Sequence, residues 1–197
     1  MIELLAVLSA SAAAGMRVAL PLLLIVLYGG NLWAQVPILS HISPTLGLFV
    51  LVTWSLIELI FSKDRLGMRV LQIFQLLFSP IVGAIMGIAV ARITGVSGWL
   101  VDLLGAIGGL LALVLKLVQV GWSYRLRYIP LWVLFAEDTL CVLLVLFALD
   151  APKQGGLIAL LLLWLALRSS KEWYRWYVAQ SLLAIKGHPR QHKQDPD

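Results

Sequence analysis

Six long apolar runs, parted by short polar breaks, organise this chain. They occupy residues 2–28, 45–62, 70–91, 99–122, 130–149 and 155–167. A membrane-crossing helix needs roughly 20 predominantly apolar residues. The first five runs reach or approach that length, and the sixth gains it from a turn at either end. The pattern predicts an all-α fold: a polytopic membrane helix bundle of about six transmembrane helices. Residues 31–44 form a loop that holds Trp33, His41 and two prolines but no Lys or Arg. After the sixth run, residues 169–186 carry Trp173, Tyr174, Trp176 and Tyr177 beside Lys171 and Arg175. Aromatics next to cations suit the headgroup level, so this stretch is predicted as an interfacial amphipathic helix. The domain plan is a membrane unit over 1–168, the interfacial helix over 169–186, and a polar, disordered tail over 187–197. The first run opens with Glu3 and is too long for a signal h-region, so it is expected to stay as the first span.

Composition agrees. Hydrophobic residues make up 61% of the chain and charged residues 13%, against about 25% charged in a soluble domain. The net charge of +5 does not point to nucleic acid, because the basic residues lie between and after the apolar runs. Six spans place eleven Lys/Arg on one side and two on the other, with Arg17 and Lys116 inside spans and uncounted. The positive-inside rule then puts both termini in the cytoplasm of a cell (inner) membrane. Two inverted three-helix halves are a second expectation: spans 1 and 4 each hold a basic residue, and spans 2 and 5 an acidic one. The match is loose, since Glu58 follows Pro44 by fourteen residues while Glu137 follows Pro130 by seven.

Five ionisable residues fall within the runs: Arg17, Glu58, Lys116, Glu137 and Asp138. Each costs about 2.5–3.5 kcal/mol near a helix centre. The expected topology places Glu58, Lys116, Glu137 and Asp138 within ~6–12 Å of the cytoplasmic face, and Arg17 deeper. A shared depth permits Lys116 to pair with Glu58 or Glu137, and Arg17 to meet the remaining acid. Two readings stand side by side: structural ion pairs between helices, or a transport or proton-relay site. Asp102 is read as a solvated helix end. Gly83 with Gly87, Gly105 with Gly109, and the small residues from Ser9 to Gly15 read as close helix packing, within the chain or between subunits. Pro21 and Pro80 kink helices or free carbonyls to line a site. His41, His188 and His192 lie outside the spans, and no catalytic, metal or phosphate-binding motif occurs, so no cofactor and no metal are expected. Cys141 has no partner for an intrachain disulfide.

Several short strings mark a family. They are A-A-G-M-R at 13–17 with Pro21, I-E-L at 57–59, S-P-I-V-G at 79–83, Lys116, A-E-D at 136–138, and Ala151-Pro152. In order and spacing the chain resembles the bacterial membrane family called domain of unknown function 4126. It departs at Lys63-Asp64, where the family tends to carry Asp-Lys, and in a shorter loop before the Glu-Asp pair. The resemblance implies a multi-span inner-membrane protein and supplies no activity. It falls on the same five ionisable positions.

Three functions follow as expectations. The first is a small secondary transporter or ion-coupled permease using the acid–base cluster. The second is a non-catalytic accessory or assembly subunit, forming a homo-oligomer or larger complex in the bilayer through its glycine faces. The last is an intramembrane enzyme with Glu137 or Asp138 as general acid/base.

Overall fold

The computed structural model describes residues 1–28, 43–61, 65–125 and 131–186. All of its regular elements are helices: α1 Ile2–Met16, α2 Ala19–Tyr28, α3 Pro44–Phe61, α4 Arg65–Ile93, α5 Trp99–Arg125, α6 Leu131–Asp150 and α7 Pro152–Lys186. Two segments, Leu71–Ile93 and Trp99–Ser123, are long and apolar enough to cross a membrane. Large apolar side chains also cover the exterior, among them Phe49, Phe74, Leu110, Leu117 and Trp164.

The first apolar run is two helices. Arg17 takes an extended conformation (φ −130°, ψ 139°), with its N–H bonded to the Ala13 carbonyl. Pro21 accounts for the position of the break, because a proline ring inside a helix clashes with the carbonyl four residues before it. Here that is the Arg17 carbonyl. Pro80 sits inside α4, which continues past it.

Helix α1 is the centre of the bundle. It packs against α4, α5, α6 and α7, and every residue from Ala6 to Gly15 is buried. A helix apolar all round belongs inside, and small residues let four neighbours approach its backbone. Gly15 comes so close to α5 that a Cβ would lie 2.9 Å from the Ala112 backbone. At Gly83 a Cβ would strike the Ala112 Cβ, and at Gly108 it would strike the Ser11 hydroxyl. The paired glycines predicted as packing faces thus join α4 and α5 within this chain. Ser9 Oγ donates to the Leu144 carbonyl at 2.7 Å, and Ser11 Oγ to the Gly83 carbonyl at 3.1 Å.

These contacts fix the direction of α1. Val7 and Ser11 meet Gly87 and Gly83 of α4, so those helices are antiparallel. Ser9, Ala13 and Arg17 meet Leu144, Cys141 and Asp138, so α6 is antiparallel too. Ser11, Gly15 and Met16 meet Gly108, Ala112 and Lys116, so α5 is parallel. Leu5 lies beside Gly156 at the start of α7.

The helix directions bear on two expectations, the shared side of the termini and the inverted halves. The start of α1 shares an end of the bundle with the α4–α5 turn and the α6–α7 junction, whereas α7 finishes at the opposite end. The charge count missed this because neither flank of the first run carries Lys or Arg. Reversing α1 leaves eleven against two unchanged. Inverted halves would need α1 and α5 antiparallel, and they are parallel. The expected break near residue 168 falls inside α7, which runs unbroken for 35 residues. The polar tail lies outside the described residues.

Candidate functional site

Helices α4 and α5 form one hairpin through the turn after Ile93, and α6 and α7 form another through Ala151. At the turn end, α1 fills the space between the two hairpins. Fifteen residues give α1 a length of about 22 Å, shorter than the helices around it. Beyond Met16 the space is left open as a cavity of about 430 Å³. Its roof is Met16 and Arg17, and its walls reach Trp122, Ser123 and Ser169 at the far end. The walls are largely aliphatic, with Gln72, Gln75, Lys116, Gln119 and Glu137 as the polar groups.

All five predicted ionisable residues gather at this roof. Arg17 is not the deeper outlier expected of it, because α1 descends from the turn end and stops at the level of the acids. Arg17 Nε lies 2.6 Å from Asp138 Oδ1 and 3.9 Å from Glu137 Oε1. The adjacent acids of α6 therefore share one guanidinium.

Lys116 departs from its expected pairing with a carboxylate. It is 2% exposed. Its ammonium donates to the Met16 carbonyl at 3.0 Å and to Gln119 Oε1 at 2.9 Å. The carbonyl is one that the end of α1 leaves without an intrahelical partner. Gln119 in turn donates through Nε2 to Glu137 Oε1. An amide thus stands between the cation and the nearest acid.

Glu58 is 3% exposed and accepts a hydrogen bond from the Trp54 indole at 3.0 Å. It feels the charges of Arg17 and Lys116, yet among the described residues no cation lies within ion-pair distance of it. Gln75 is 4% exposed, and its side chain faces Glu58 as a weak, poorly aligned hydrogen-bond partner. Its Nε2 finds no hydrogen-bond partner of good geometry among the described residues. Below the roof, Gln72 Nε2 donates to Ser123 Oγ at 2.7 Å and Trp122 Nε1 to Ser169 Oγ at 2.5 Å.

Gln75 and Gln119 are the functional residues that the search for charges passed over. Gln119, at i+3 from Lys116, lies on the same helix face, which is the signal that could have found it. Asp102 is exposed at the start of α5, away from the cluster. Cys141 is buried against the Ala13 carbonyl. Among the described residues no group of three or more His, Cys, Asp and Glu is placed to hold a metal. The three histidines, and the side chains of Trp173, Trp176 and Tyr177, lie outside what is described. Of that predicted interfacial set, Lys171, Tyr174 and Arg175 are exposed.

The family model for domain of unknown function 4126 matches residues 4–172. The chain belongs to that family. Neither the curated proteins nor the solved structures contain a match.

Proposed function

We propose that this is a multi-pass membrane protein and a small proton-coupled transporter, whose solute site is the cavity beneath the end of α1. The observation that carries the reading is that cavity, partly open and roofed by buried ionisable groups. Three carboxylates face two cations, and Arg17 takes two of the three. Glu58 is left as a buried carboxylate without a salt bridge among the described residues. Such a group is costly as an anion and serves as a site for a proton, set against Arg17, Lys116, Glu137 and Asp138.

In the membrane, α3 to α7 act as five spans, and α1 with α2 enter and leave at one face. The support is directional. Trp54 packs edge-on to Phe78 and Glu58 lies beside Gln75, so α3 descends from the turn end. Helix α2 packs against α3, and a return toward the start of α1 would bring the chain to the end where α3 begins. The eleven-to-two excess of Lys/Arg assigns the open end of the cavity to the cytoplasm of an inner membrane.

The glycine faces that motivated an accessory subunit are used in packing within the chain, and Asp138 is held by Arg17 in place of being available as a general acid. Transport is therefore the better supported reading. Proteoliposomes tested with a broad solute panel under an imposed proton gradient should show uptake, and Glu58→Gln should abolish it while the protein still inserts and purifies as wild type. Uptake indifferent to the gradient and to Glu58→Gln would sink the proposal.

A further inference from the structure

We infer that the cavity binds an amphipathic oxyanion: one carboxylate or phosphate monoester head seated between Lys116 and Gln75, with an aliphatic body along the walls. This deepens the transport reading and rests on the same cavity. Four observations lead to it.

The first is the state of Lys116. A buried ammonium normally takes a carboxylate in direct contact. Lys116 instead donates to a carbonyl and an amide oxygen, and Gln119 holds Glu137 away from it. An ammonium has three donors, and two are used. Its charge is solvated but not neutralised by contact.

The second is Gln75. It also lines the cavity, and its buried Nε2 lacks a good partner. Burying a polar group without a hydrogen bond costs about 1–3 kcal/mol, so such donors need an explanation. A ligand oxygen would give this one the well-aligned acceptor that Glu58 does not. Donors, one of them charged, describe an acceptor-only head, and an oxyanion is that.

Exclusion of a cation is the third observation. Two of the three acids at the roof are occupied: Asp138 and Glu137 by Arg17, Glu137 also by Gln119. Glu58 is not among the lining residues. A cationic head would meet the Lys116 ammonium at the wall, while Glu58, beside Gln75, is outside the lining.

The fourth is the wall. Leu71, Leu115, Val118, Leu140, Leu162 and Leu165 line the cavity around the head site. A fully polar solute would leave these surfaces without a partner, whereas burial of an aliphatic tail gains ~0.8 kcal/mol per CH₂.

The full chain in nanodiscs tests this with radiolabelled octanoate, empty nanodiscs being subtracted. Saturable octanoate binding is expected, with octanol and octylamine failing to compete. Lys116→Met should weaken it at least tenfold, and Lys116→Arg should weaken it less. Competition by octyl phosphate decides the head: a stronger competitor than octanoate assigns a phosphate, a weaker one a carboxylate. Equal competition by octanol or octylamine overturns the inference, as does unchanged binding in a folded Lys116→Met protein. Octanoate binding without gradient-driven flux leaves this inference standing and removes transport. Flux of some other solute without anion binding does the reverse.

Discussion

The two halves of this bundle are built from the same helices and differ in one thing, whether α1 lies between them. In the turn half, α1 brings Ser9, Ser11 and a run of alanines against Gly83, Gly108 and Gly155, and nothing larger than a hydrogen atom fits at those glycines. In the open half α1 is absent, and the same hairpins stand apart around a cavity. Even the glycines differ. Gly121, on the α5 face in the open half, has nothing within 4 Å of where its Cβ would lie. The contrast shows how a helical bundle sets a packed half against a hollow half without changing its outer frame: the central element is ended early.

The largest test of this contrast is all-or-none. If the packed half faces away from the cytoplasm, a label on the N-terminus of right-side-out vesicles should react with an impermeant reagent while one on the C-terminus should not. Matching accessibility of both ends would break the assignment of α1. Next in size is Arg17→Met, which leaves Asp138 and Glu137 without their cation at the boundary between the halves. Breaking a buried pair costs about 3–5 kcal/mol. The lower end of that range is expected here, because the Asp138 side chain is 28% exposed, and thermal unfolding in detergent would read it. The smallest effect contrasts two glycines. Gly83→Ala should destabilise by about 1–3 kcal/mol through overpacking. Gly121→Ala should be neutral or stabilise by ~0.5–1 kcal/mol, since Gly is the poorer helix former. Equal responses at the two positions would erase the distinction between the halves.

Much of this was legible in sequence. The helices lie where the apolar runs are, because each run had to supply its own length of lipid-compatible surface. The ionisable cluster was legible because charge inside an apolar run is rare for energetic reasons. What was not legible was the direction of α1. Orientation is written in flanking cations, and both flanks of the first run have none. Pro21 and Arg17 marked the interruption, but an interruption does not reveal whether a chain continues or turns back. The partners of Lys116 were hidden for a different reason. Gln119 and the Met16 carbonyl are neutral, and a search for opposite charges does not see them. Continuity of α7 past residue 168 was hidden because amphipathic and fully apolar stretches look like separate elements even when one backbone ladder runs through both.

The break at Arg17 also acts as a ruler. The depth of the cavity is the difference between the length of α1 and that of its neighbours, and Pro21 sets where α1 ends by its clash four residues back. Moving that proline by one helical turn would move the roof by ~5.4 Å. The size of the cavity is therefore encoded in a single residue position, separable from the chemistry of its walls, and related chains could accept longer or shorter guests by shifting one proline.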